Sequence, residues 1–335
     1  MALLEVKDLE VRFGLRSGEV TALRRISFSL DRGQRLGIVG ESGAGKSIAA
    51  FSILNLLSVP GRISHGQVLF DGKDLLQMSP AEIRQVRGNR ISMIFQDPMM
   101  TLNPVMTVGD QMTECLRAHT RLSPQECERI ALDKLRLVQI PSPEKRLRQY
   151  PHELSGGMKQ RIIIAIALLL NPDIIIADEP TTALDVTIQA EIMELLLNLC
   201  ESQNLGLILI THDLGVVSQI TRQTIVMYAG CIIEEGPTRQ VINDAQHPYT
   251  QGLINALPQQ ARPGERLNQI PGAMPPLQRV PEGCAFHPRC AYVMPRCKTE
   301  SPEFVQSGEC RVACHLVADL IQSRAPADAP SPLES

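Results

Sequence analysis

Eight residues constrain this 335-residue chain more than any other feature: GESGAGKS, Gly40 to Ser47, set between the apolar run Arg35–Val39 and the stretch GKSIAAFSILNLL. The run reads as a strand and the stretch as a helix, with Ile48, Phe51, Ile53, Leu54 and Leu57 apolar. Strand, glycine loop and helix in that order match the phosphate-binding pattern G-x-x-x-x-G-K-[ST]. Glycines at 40, 43 and 45 let backbone N–H groups turn inward around phosphate oxygens without a Cβ clash. Ser42 and Ala44 complete the cradle, Ala44 contributing mainly backbone. Lys46 is placed to reach the β- and γ-phosphates, and Ser47 to ligate Mg²⁺.

A second apolar strand, DIIIADE, ends in two acids. Asp178 is expected to hold the Mg²⁺ shell, and Glu179 to orient or deprotonate an attacking water. Further strands are expected at ISMIFQD (91–97), LGLILITHD (205–213) and TIVMYAG (224–230), placing Gln96 and His212 at strand ends. LSGGMKQR puts Ser155, Gly156 and Gly157 at the start of a helix, a ready anion site.

Near-continuous apolar strands alternating with helices such as TIQAEIMELLLNL predict a mainly parallel α/β sheet covered on both faces. The amino terminus adds shorter strand-like patches, LLEVKDLEVRF and VTALRRISFSL. Between residues 97 and 170 the periodicity turns helical, an inserted subdomain. One helix there starts at Ser123, Pro124 and Glu126, an N-cap, a first-turn proline and a capping-box acid. Cys127 falls on its apolar stripe and reads as a buried hydrophobe. The expected division is therefore an ATP-binding core over 1–96 and 171–240, a helical subdomain over 97–170, a proline-rich extension over 241–322 and a disordered tail over 323–335.

Composition narrows the class. A net charge of −3 gives no global basic bias toward nucleic acid. The start, MALLEVKDLEVRF, lacks the features of a signal peptide, and the run Ile162–Leu170 is about half of what a bilayer-spanning helix needs. A soluble cytosolic protein is expected, and a disulfide framework is disfavoured there.

Over roughly residues 1–240 these motifs resemble an ATP-binding-cassette ATPase, the motor subunit of an ABC transporter. The resemblance implies a RecA-like sheet with an antiparallel β subdomain and a helical signature subdomain. Gly40–Ser47 resembles the Walker A loop, Asp178 and Glu179 the Walker B acid and catalytic glutamate, and Gln96 the Q-loop glutamine that also approaches the Mg²⁺. Ser155–Gly157 resembles the signature, Thr182–Asp185 the D-loop and His212 the H-loop histidine. Phe13 stands where an aromatic stacks on adenine, with a core role as its alternative.

The resemblance also implies a composite site, in which the signature of one subunit closes over ATP bound by another, a paralogue or a second copy. One cassette, no heptad arms and no inserted Cys-x-x-Cys pairs favour transport over cassette ATPases that act on nucleic acid or ribosomes. QDPMMTLNPVMTVGDQM, IADEPTTALDVTIQAEI and HPYTQGLINALP resemble the ATPase subunits of bacterial dipeptide/oligopeptide importers. Nickel or metal-chelate importers are the alternative within transport. The expected partners are two membrane permease subunits and, indirectly, an external solute-binding protein. The expected location is the cytoplasmic face of the inner membrane.

Five of the nine cysteines cluster late in the chain, spaced C-x5-C-x6-C-x12-C-x3-C from Cys284 to Cys314. These gaps are longer than the short knuckles of structural zinc sites and suit a loop around a larger thiolate cluster. The importer resemblance points to a [4Fe–4S] cluster on Cys284, Cys290, Cys297 and Cys314. Zn²⁺ is the alternative metal, and Cys310 the alternative fourth ligand.

Overall fold

The computed structural model describes residues 2–16, 18–97, 101–182, 184–257 and 269–324. Ala183, Pro258, Pro263 and the expected tail beyond residue 324 lie outside them, as do residues 98–100 of the stretch after Gln96.

Strands β1 (Leu4–Leu15) and β2 (Gly18–Leu30) pair antiparallel from Leu4↔Leu30 to Leu15↔Gly18. Leu4, Val6, Leu9 and Val11 turn inward, the register shifting around Leu9. A third long strand, β4 (Gly61–Phe70), pairs with the other edge of β1, and the short β5 (Lys73–Asp74) completes a four-stranded sheet. The sequence reading had no strand at β4, because only Val68 and Phe70 are buried there and the rest is polar or half-exposed.

The larger sheet has eight strands, at its centre β3 (Arg35–Val39), parallel to β9 (Gln223–Tyr228) on one side and β8 (Gly206–Thr211) on the other. Then follow β7 (Ile174–Asp178) and the edge strand β6 (Ile91–Ile94), both parallel. Every residue of β3, β7 and β8 is buried, which explains their unbroken apolar character. One core lies between the two sheets, with Leu4, Leu23, Ile38 and Ile176. The other lies on the opposite face, shared with α7 (Val186–Gln203) and the helical subdomain.

That subdomain holds α3 (Val108–His119), α4 (Pro124–Leu137), α5 (Pro143–Leu147) and α6 (Gly156–Ala167). The capping box at Ser123 and Glu126 forms as expected, and Cys127 is fully buried.

The carboxy-terminal region does not stand apart from the sheet. After β9 the chain turns into β10 (Cys231–Pro237), and β12 (Cys310–Ala313) pairs with β10 while β11 (Phe304–Ser307) closes the edge, all antiparallel. Helix α10 (Pro248–Asn255) places Tyr249 beside Tyr228 of β9, ring centroids 4.8 Å apart, and Phe286 packs edge-on against both.

Candidate ATP site

The glycine loop joins β3 to α1 (Lys46–Ile53), the helix expected after it. Gly40, Gly43 and Gly45 all have positive φ, and a Cβ on Gly40 would lie 2.4 Å from the carbonyl oxygen of Met227. At Gly45 a Cβ would meet Leu23 at 3.0 Å. The loop can thus close only with glycine at these turns. Lys46 is buried and donates to the carbonyl oxygens of Gly40 at 2.8 Å and Glu41 at 3.1 Å. Burial lowers its pKa, opposed by the charges of Glu179, Asp178 and Glu41.

Asp178 ends β7, is 2 % exposed, and has one carboxylate oxygen, Oδ1, with no partner. Burial raises its pKa against a hydrogen bond from Ser47. A buried carboxylate with one orphaned oxygen next to a loop hydroxyl is a donor set that fits Mg²⁺. When bound there, the ion would neutralise charge on the phosphates.

Glu179 follows in the left-handed region, φ 45°, its N–H tied to the carbonyl of Ile210 at 2.8 Å. That uncommon conformation turns the side chain out of the sheet into the cleft, where backbone strain of this kind is often found. Its carboxylate accepts from Gln96 Nε2 at 3.1 Å and Thr182 Oγ1 at 3.0 Å, and lies 3.2 Å from His212 Nδ1. Burial works against its charge, but His212 and Thr182 outweigh it and hold its pKa low. An ionised carboxylate is what a water-orienting base needs.

Gln96 lies two residues past the end of β6 and reaches the site through Glu179. A cleft of about 350 Å³ joins residues Ser42 to Ile48 with Gln96 and Glu179. Its remaining wall is the segment Met274–Leu277 from the carboxy-terminal region, which sequence reasoning did not connect to the site.

Two groups of expected site residues lie elsewhere. Ser155 caps α6 by accepting from the N–H of Met158, and with Gly156 faces solvent away from this cleft. Gly157 packs so close to α7 that a Cβ would sit 2.9 Å from Ile188 Cγ2. Phe13 packs over Gly61, where a Cβ would be 2.7 Å from its ring, and is partly buried against the core between the sheets. It does not line the cleft among the described residues.

Of the late cysteines, Cys284 donates its backbone N–H to the carbonyl of Cys297 at 2.9 Å, whereas Cys310 lies in β12, where a Cβ on Gly236 of β10 would sit 2.6 Å from its sulfur. Burial, with its three thiol neighbours adding to it, pushes Cys284 up to about 11. Backbone N–H groups point at three of the sulfurs: Phe286 at Cys284, Tyr292 at Cys290, and Leu316 and Val317 at Cys314. The expected [4Fe–4S] ligand set of Cys284, Cys290, Cys297 and Cys314 does not form a metal site here: among the described residues no three His, Cys, Asp or Glu side chains come close enough together to hold a metal ion. The four thiols share a neighbourhood but do not converge on one point.

Comparison with known proteins supplies the context. The ABC transporter family profile matches residues 23–182, and the profile for the oligopeptide/dipeptide transporter C-terminal region matches residues 233–297. The chain is 50% identical over 294 residues, 87% of its own length and 82% of the relative's, to the oligopeptide transport ATP-binding protein OppD of Bacillus subtilis strain 168. It is 46% identical over 320 residues, 95% of its length and 98% of the relative's, to the dipeptide transport ATP-binding protein DppD of Escherichia coli K12. Among solved structures, a dimeric bacterial ABC transporter cassette superposes with a TM-score of 0.63 at 28% identity, covering 70% of this chain and 99% of that one.

Proposed function

Since the chain belongs to the family of oligopeptide and dipeptide transport ATP-binding proteins of ABC transporters, we propose that it is the ATP-hydrolysing subunit of a peptide importer. The observation that carries the hydrolytic role is Glu179, held in the phosphate-loop cleft by Gln96, Thr182 and His212. Lys46 and the loop amides bind the triphosphate, Ser47, Asp178 and Gln96 are the residues to hold Mg²⁺, and Glu179 orients water. His212, exposed at the cleft mouth, supports Glu179 and approaches the γ-phosphate.

Ser155, Gly156 and Gly157 act on the nucleotide of a second cassette, a paralogue or a copy. The exposure of Ser155 and Gly156 away from the chain's own cleft supports that reading, as does the dimeric state of the cassette it resembles. Phe13 remains the proposed adenine neighbour. The division into core, helical subdomain and extension is retained with the bounds given above. No helix among the described residues is long and apolar enough to cross a membrane. From the family it belongs to, we place the chain at the cytoplasmic face of the inner membrane, docked on two permease subunits fed by an external binding protein.

For Cys284, Cys290, Cys297 and Cys314 we propose a [4Fe–4S] centre of structural role, supported by their spacing and by the N–H groups aimed at three of the sulfurs, with the ligands brought together only when the cluster is bound. Iron and zinc analysis of protein purified without oxygen tests it. About four irons per chain supports the centre, whereas one zinc or no metal removes it.

The transport reading is tested in vesicles carrying the permease pair and both cassettes. Peptide with its binding protein should stimulate ATP hydrolysis. Stimulation by nickel chelates alone would transfer the chain to metal import, and co-purification with nucleic acid or ribosomes in place of permease would remove it from transport.

A further inference from the structure

Glu41, the second residue of the phosphate loop, is held from the carboxy-terminal region by two side chains. The phenolic oxygen of Tyr249 accepts its backbone N–H at 2.8 Å. Arg289 grips its carboxylate with both terminal nitrogens, Nη1 to Oε2 at 2.8 Å and Nη2 to Oε1 at 3.1 Å. Arg289 is itself fixed: its Nε donates to the carbonyl of Pro271 at 2.8 Å, and its guanidinium lies 5.9 Å from the centre of the Tyr228 ring. Its side chain is 7 % exposed and that of Glu41 27 %. A bidentate, partly buried arginine–carboxylate pair is the strong form of this contact.

A carboxylate within a loop that binds a triphosphate repels it. We propose that Arg289 is a positioning residue for ATP binding: it neutralises Glu41, holds that carboxylate back from the phosphates, and so sets the shape and charge of the loop from the cysteine-bearing extension. Tyr249 fixes the backbone of the same residue, which gives the aromatic of the HPYTQG stretch its task. Arg289 directly precedes Cys290, so one of the late cysteines stands one residue from a contact with the phosphate loop.

This inference rests on nucleotide binding by Gly40–Ser47. The test is the affinity of the full chain for Mg²⁺-ATP, measured by calorimetry at low and high salt. Arg289→Gln leaves an unpaired carboxylate and should weaken binding about three- to tenfold. Glu41→Gln leaves an unpaired cation and should tighten binding by about two- to fivefold. The double variant should return to within about twofold of the parent, and all shifts should shrink in salt. Loss of packing alone would move both single variants the same way, and that result overturns the proposal. Should Arg289→Gln fail to fold, Glu41→Gln decides alone: unchanged or weaker binding overturns it. Lys46→Ala separates the two readings. If it abolishes binding while the Glu41 and Arg289 variants do nothing, the loop assignment stands and this inference falls; if it binds as the parent does, the site itself is misassigned.

Discussion

The side-chain amide of Gln96 donates to the carboxylate of Glu179 across 3.1 Å, although the two residues are 83 apart in sequence. One stands where the chain leaves the edge strand for the helical subdomain, the other at the end of β7. The contact thus ties the entry to the helical subdomain to Glu179, the carboxylate proposed to orient water.

Glu179→Gln keeps the shape and both hydrogen bonds to Thr182 and Gln96 within reach but removes the base. ATP hydrolysis should fall about 10²- to 10⁴-fold while ATP affinity stays within a few-fold. Size-exclusion chromatography with ATP should then show a trapped dimer of cassettes. Turnover near the parent's would remove Glu179 from its role.

His212 is an exposed ring whose Nδ1 lies 3.2 Å from Glu179, a contact that with Thr182 keeps the acid ionised against burial. Its replacement by alanine should raise the pKa of Glu179. The acid limb of the ATPase pH profile should move to higher pH, with kcat reduced about tenfold or more and KM little changed. A profile that keeps its acid limb in place would show that the carboxylate does not depend on this contact.

The nucleotide site was largely legible because each motif carries its own local context: a glycine loop needs a strand before it and a helix after it, and Asp178 sits at the end of an unbroken apolar strand. What the sequence did not reveal is non-local. Arg289 meets Glu41 across 248 residues, and no periodicity marks such a pair. CAFHPRC draws attention to its cysteines, yet the arginine between them touches the phosphate loop. Strands β11 and β12 escaped notice for a related reason. They are four residues each at a sheet edge, too short to show a period. Spacing put five cysteines forward as a thiolate cluster, yet among the described residues no three of them come close enough together to hold a metal ion, and Cys310 lies in a strand of the main sheet.

Gly157 tests the packing of the signature helix. A methyl group there meets Ile188 Cγ2 at 2.9 Å, so Gly157→Ala should destabilise the α6–α7 contact by about 1–3 kcal/mol. In an Ile188→Ala background, which lacks the clashing carbon, the same Gly157→Ala change should cost much less in a denaturant titration. Gly156→Ala meets only Leu184, at 3.3 Å, and should cost less. Equal losses at both positions, undiminished in the Ile188→Ala background, would mean that the methyl contact is not the cause.

His247 gives the chain an acid-sensitive fastening. It is 1 % exposed, accepts the N–H of Tyr249 through Nδ1 at 3.0 Å, and donates its own backbone N–H to Glu234 at 3.0 Å. Burial lowers its pKa from 6.5 to about 3. Folded, it stays neutral; unfolded, it takes a proton below pH 6.5, so the unfolded state gains protons and stability falls as pH drops from about 6.5 toward 3. The slope is about 1.4 kcal/mol per pH unit, or about 2 kcal/mol between pH 7 and pH 5. Glu234, raised by burial, works in the opposite direction, since the folded state there binds its proton more readily. His247→Asn keeps a capping oxygen for Tyr249 and leaves Glu234 in place. Denaturation at pH 7 and pH 5 should show a smaller acid loss in the variant, by about that 2 kcal/mol, whatever its stability at pH 7. An acid loss identical to the parent's would show that the histidine is protonated without unfolding, and that the contact between α10 and the phosphate loop survives its charge.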